Sequence, residues 1–135
     1  MDKGFDIAID FDKVLSSYEG YEEGVFGEPI PGALNAVKEF IADGYYCYVF
    51  TARPETQEVE KWLRKYGFPD MKVSNYKSPA HVYVDDRAYR FTKWTPSVID
   101  EIKKLVGKGE KDFTGYNKKY FEQARTDTVA PSIAG

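Results

Sequence analysis

Phe5-Asp6-Ile7-Ala8-Ile9-Asp10-Phe11-Asp12-Lys13-Val14-Leu15 is the stretch on which the fold turns. An apolar run ends there at two acids, and a short run bounded by polar residues fits the central strand of a parallel sheet. Ligands of such sheets gather beyond the carboxyl ends of the strands, which puts Asp10 and Asp12 at the mouth of a site. With one residue between them, both side chains lean to one face of an extended segment, so two negative charges are expected side by side. Such a pair calls for a cation, and an all-oxygen ligand set suits Mg2+ better than a softer metal. Asp-x-Asp alone is also an ordinary polar strand end, so its partners along the chain decide between the two.

Lys13 to Pro31 carries Gly, Glu and Tyr without a sustained period and reads as a loop or small flap beside the acids. Within it Tyr18 and Tyr21 are candidates to stack on a base. Pro31 and Gly32 open a helix with Leu34, Val37, Phe40 and Ile41 on one side, and Gly44 closes it. Tyr45 to Phe50 is β-prone and ends at Thr51-Ala52-Arg53-Pro54, which brings Thr51 to the sheet edge that holds Asp10. Glu55 to Tyr66 has Val59, Trp62, Leu63 and Tyr66 at helical spacing, and Met71 to Ser74 is a short candidate strand. Tyr76-Lys77-Ser78-Pro79 then leads to His81-Val82-Tyr83-Val84, a strand that stops at Asp85-Asp86-Arg87. Thr95 and Pro96 start a helix with Ile99, Ile102, Leu105 and Val106 inward, stopped by Gly107. Trp62 and Trp94 read as core or rim.

Strands alternating with helices over 135 residues predict one α/β domain, Rossmann-like, with three α/β/α layers and a central parallel sheet. The core is expected over 1–110, with 111–135 an extension: Tyr116, Tyr120, Phe121 and Ala124 have the spacing of a short helix, and Thr126 to Gly135 the composition of a mobile tail. Eleven tyrosines and nine phenylalanines supply ample apolar surface. A net charge of −3 argues against extended nucleic-acid binding and leaves room for a local pocket for one phosphate. The single cysteine, Cys47, lies in an apolar run and reads as an inert buried thiol. With no run long enough to span a bilayer and no signal-peptide pattern, the expected location is cytoplasmic, with no membrane partner.

The strand ends thus collect Asp10 and Asp12, Thr51, a lysine near 77, and Asp85 with Asp86, a set suited to phosphoryl transfer. In this order IAIDFDKVL, VFTAR, the lysine of YKSPA and VYVDDR resemble the motifs of hydrolases of the haloacid dehalogenase superfamily, most closely its small capless members of bacterial or phage type. The resemblance covers roughly residues 5 to 106. It implies a phosphomonoesterase with Asp10 as nucleophile, Asp12 as acid/base, and Thr51 and Lys77 as phosphate ligands, with Lys72 the alternative lysine. It also implies Mg2+ on the Asp10 carboxylate, the Asp12 backbone carbonyl and a late acid, Asp86 directly or Asp85 through water. Ala52, Arg53 and Arg87 are candidate phosphate contacts, the two arginines equally candidates for structural salt bridges. The substrate expected is a phosphorylated small molecule or nucleotide, with an oligonucleotide end or a sugar phosphate as further candidates, and oligomerisation stays open. Lys13 departs from the pattern, since these proteins usually have glycine or another small residue there. Two rivals are a receiver-like phospho-accepting domain, whose motif order differs, and a module of this fold that binds metal and phosphate without turnover.

Overall fold

The computed structural model describes residues 4–18 and 22–108 of the chain. Strands β1 (Asp6–Ile9), β2 (Tyr46–Phe50), β3 (Val73–Ser74) and β4 (Val82–Val84) form one sheet in the order β3-β2-β1-β4. Every pairing is parallel. Helix α1 (Ala33–Ala42) joins β1 to β2, α2 (Thr56–Lys65) joins β2 to β3, and α3 (Pro96–Lys108) follows β4. The chain is therefore α/β with an all-parallel sheet, compatible with a Rossmann-like fold.

Side-chain alternation along the strands builds the core on one face of the sheet. Ile7 lies opposite Cys47, Ile9 opposite Val49, and Val49 opposite Val73. Against this row α1 buries Ala33 and Val37, while α2 buries Val59, Trp62 and Leu63. Phe11 is fully buried in the same cluster, its ring edge-on to Trp62 at 5.0 Å and to Phe26 at 5.6 Å. Two of the helices are bounded by left-handed glycines: Gly32 (φ 87) opens α1, and Gly67 (φ 80) ends α2 by donating to the Arg64 carbonyl.

The other face is organised differently. The β3–β4 connection contains no helix among the described residues; the Tyr48 and Tyr83 hydroxyls both donate to the Ser78 carbonyl, at 3.0 and 2.5 Å, and tie that connection down. The expectation that α3 turns Ile99, Leu105 and Val106 inward fails, for these are 45%, 50% and 72% exposed. Among the described residues only Val98 of this helix is buried, and α3 makes no close backbone approach there to a strand or another helix. Nor does Gly107 stop it, since the helix runs to Lys108. Tyr21 and the 111–135 extension lie outside the described residues.

Among the described residues, no helix is long and apolar enough to cross a membrane. Cys47 is buried, and burial pushes its thiol pKa up, away from reactivity at neutral pH.

Candidate active site

The strand order places β1 between β2, reached through α1, and β4, reached from the far edge. The crevice between β1 and β4 is thus the point where the connections diverge, the place where ligands of open parallel sheets bind. Register does the rest. Ile9 pairs with Val84 and the Asp10 amide donates to the Val84 carbonyl at 2.9 Å, so Asp10 ends β1 level with the residue that follows β4, Asp85. Asp10, Asp85 and Asp86 each bring one carboxylate oxygen within 4.8 Å of the others, and these three acids could hold a metal ion.

Burial, followed by the charge of Asp85, raises the Asp10 pKa to about 8, against which a hydrogen bond from the Phe11 amide at 2.8 Å works only in part. Asp85 is fixed by accepting the Arg87 amide at 2.8 Å, and the Arg87 Nε stands 3.9 Å from the Asp86 carboxylate.

Asp12 behaves otherwise than its spacing from Asp10 implies. The buried Phe11 places both acids at one cleft, yet the Asp12 carboxylate turns from the trio to Arg53, which donates from Nε to Oδ2 at 2.7 Å and from Nη2 to Oδ1 at 2.9 Å. The charges that crowd Asp10 are Asp85 and Asp86, from a strand far away in sequence. Asp12 is also pushed up by burial, partly offset by Arg53.

Arg53 is 3% exposed, with further bonds to Glu55 Oε2 (2.9 Å) and to the carbonyls of Glu22 (3.2 Å) and Val25 (2.9 Å). Phe26 lies under its guanidinium, 4.6 Å to the ring centroid. With the fork committed in this way, Arg53 is a structural partner of Asp12 and no free phosphate ligand, a correction to one of its two sequence readings. Glu55, which sequence reasoning treated only as a helix start, accepts the Gly24 amide at 3.0 Å and completes the clasp. An acid two residues after a strand-end arginine was the available signal.

The clasp holds the loop after β1 in a compact flap. Phe11's carbonyl accepts the Leu15 and Ser16 amides, Ser17 pairs with Glu28, and Ile30 with Leu15. The fully buried Ser16 hydroxyl accepts from Gly27, whose carbonyl accepts Trp62 Nε1. Tyr18 is half-buried and its hydroxyl donates to Glu22, so the ring serves flap packing.

Asp10, Asp12, Thr51, Ala52, Arg53, Asp85, Asp86 and Arg87 line one cleft of about 200 Å³, with Phe50 added to them. Thr51 is buried, and its Oγ1 accepts the Arg53 amide at 3.1 Å, which leaves its own proton for another acceptor. Neither candidate lysine lines this cleft. Lys77 rests its Nζ 4.7 Å from the Tyr83 ring centroid. Lys72, expected near the acidic edge, lines a separate cleft of about 290 Å³ with Tyr46 and Glu60.

Fold and site together define an α/β protein with an acidic cleft at the switch point of a parallel sheet. A solved structure of a conserved protein from Bacteroides thetaiotaomicron is similar at a TM-score of 0.54 and 21% identity, covering 78% of this chain and 92% of that one. At that identity the likeness concerns the fold. No protein-family model and no curated protein matches the chain.

Proposed function

We propose that the protein is a Mg2+-dependent phosphomonoesterase of the capless haloacid dehalogenase type. The observation that carries this reading is the convergence of Asp10, Asp85 and Asp86 in one cleft with the Thr51 hydroxyl. The donor set fits a small hard cation: three carboxylates, no nitrogen or sulfur, with burial and then the charge of Asp85 raising the Asp10 pKa to about 8. Bound there by Asp10 and the late acids, Mg2+ would supply positive charge for the phosphate oxygens and keep Asp10 ionised.

The chain's own groups account for the rest. The Asp10 carboxylate attacks phosphorus, the ester P–O bond breaks, and the leaving oxygen takes its proton from Asp12, whose pKa is raised by burial. Water then attacks the aspartyl-phosphate, gives its proton to Asp12, and phosphate leaves with the Asp10 carboxylate restored. Thr51 donates to a phosphate oxygen. Arg87 adds charge at the rim. Lys77 joins only after leaving the Tyr83 ring, which at about 0.5–1 kcal/mol for an exposed cation–π contact is a small barrier to recruitment.

One observation favours a second reading, a module that binds metal and phosphate without turnover: both Asp12 oxygens already accept from Arg53. Phosphate release from a panel of phosphomonoesters with Mg2+ separates the two. Release by the wild type, abolished in Asp10→Asn, supports the enzyme. Binding of phosphate and Mg2+ with no turnover on any ester supports the module.

A further inference from the structure

Beyond Asp86 the chain reads Arg87-Ala88-Tyr89-Arg90-Phe91-Thr92-Lys93-Trp94, three cations and three aromatics in eight residues with no acid. A chain of net charge −3 has no general use for such a segment, and the fold does not bury it. Phe91 is 50% and Trp94 69% exposed, although their rings sit together at 5.0 Å and 55°. Neither Arg90 nor Lys93 forms an ion pair among the described residues.

The segment is nonetheless held. Its start is fixed by the Arg87 amide on Asp85, and its middle by the Tyr89 hydroxyl, which donates to Glu101 of α3 at 2.6 Å. At its end the Thr95 Oγ1 accepts the Val98 amide and caps that helix. An aromatic pair kept in place yet left in water, flanked by cations and rooted at the acidic cleft, has the parts of a single-strand binding surface. Bases stack on rings whatever their sequence, and cations follow the backbone. Phe91 lies four positions beyond Arg87, which is on the cleft wall, a reach of at most about 14 Å. That is the scale of a nucleotide or two beyond a terminal phosphate lying in the cleft.

We propose that Arg87 to Trp94 is a stacking platform for the end of a single-stranded nucleic acid, with Phe91 and Trp94 receiving the terminal bases and Arg90 and Lys93 the neighbouring phosphates. The assignment rests on the phosphatase reading for the fate of the terminal phosphate, while binding to the platform does not depend on it. It also moves base stacking from Tyr18 and Tyr21, the sequence candidates, to the segment that follows β4.

Short hydroxyl-terminated oligonucleotides, DNA and RNA, test binding with no phosphate to hydrolyse and no metal added. Trp94 is the reporter, since the other tryptophan, Trp62, is 5% exposed. Single strands are expected to quench tryptophan emission, with the quench absent in Trp94→Phe. Phe91→Ala, at a half-exposed position that leaves folding intact, should weaken binding about fivefold or more. Arg90→Ser with Lys93→Ser should flatten the salt dependence. A matched duplex should bind more weakly. No quench at millimolar oligonucleotide, or a quench that Phe91→Ala leaves unchanged, overturns the platform. Self-association that hides Trp94 before any oligonucleotide is added also overturns it, by making the patch an interface between copies. Failure of hydrolysis on an end-phosphorylated strand that still binds would count against the phosphatase reading alone.

Discussion

Arg53 grips Asp12 with two parallel hydrogen bonds, at 2.7 and 2.9 Å, and with its remaining donors closes residues 22–25 of the flap over the same carboxylate. Removing one partner of so buried a pair leaves the other as an uncompensated charge, at a cost of about 3–5 kcal/mol. Arg53→Ala is therefore expected to lower stability by that order and to open residues 22–27 to limited proteolysis. Arg53→Lys, which keeps the charge and loses the fork, should fall between. A chemical-denaturation midpoint for Arg53→Ala equal to the wild type's would show that the clasp is not what holds the flap.

The burial of Asp10 beside Asp85 makes stability depend on pH in a direction opposite to that of a salt-bridged carboxylate. Its pKa is about 8 in the folded chain and near 3.8 unfolded, so between those values the folded state holds a proton that the unfolded state has released. Stability without added metal should then fall as pH rises through this window, and Asp12, also raised, acts in the same sense. Under the proposed function Mg2+ reverses the trend, adding about 2.7 kcal/mol at a hundredfold excess over its dissociation constant. Asp10→Asn should raise the metal-free melting temperature at pH 8 and lessen its slope with pH. A wild-type melting temperature that climbs steadily from pH 5 to pH 8 without metal would contradict the raised Asp10 pKa.

Sheet and cleft were legible in the sequence because strand ends are. Runs such as Ile7-Ala8-Ile9 and Tyr46–Phe50 stop at polar residues, and in a parallel sheet those stops fall at one edge. Side-chain pairing was not legible. Spacing set Asp12 beside Asp10, whereas a guanidinium from residue 53 competes for that carboxylate, and no local pattern reports a partner 41 positions away. The inward face given to α3 failed for a related reason: periodicity marks an apolar stripe without saying whether a sheet lies close enough to cover it.

Lys13 occupies left-handed backbone at φ 69, held by its amide on the Ser16 carbonyl at 2.6 Å. Non-glycine residues there cost roughly 1–2 kcal/mol, and β-branched ones more, so stability should rank Gly, then Asn, then Val at this position. Valine as stable as glycine would show that the turn is not kept in the folded protein. Gly27 is constrained by space instead: an added Cβ would meet the Tyr18 amide nitrogen at 2.5 Å and the Ser17 carbonyl carbon at 3.0 Å. These are backbone atoms of the flap, so Gly27→Ala should cost about 1–3 kcal/mol and disturb the Trp62 indole bond, seen as a shift in its emission.

The two late acids should differ as metal ligands. Asp85 already accepts the Arg87 amide through Oδ1, a turn contact that an asparagine oxygen reproduces, and Asp85→Asn keeps the local backbone. Among the described residues Asp86 has no such backbone duty; its neighbours there include the Arg87 guanidinium at 3.9 Å and Asp10 itself. A carboxylate that faces Asp10 and is held only loosely by a cation is the one positioned to give its charge to a metal. Asp86→Asn is therefore expected to weaken Mg2+ binding tenfold or more on the scale of a lost charged ligand, about 1.4 kcal/mol or above, and Asp85→Asn by less. Titration calorimetry on both variants checks the ranking, with Mn2+ as a second probe whose paramagnetic broadening reports which carboxylates lie nearest. Equal losses in the two variants would mean that both acids ligate directly, and a larger loss at Asp85 would reverse the assignment.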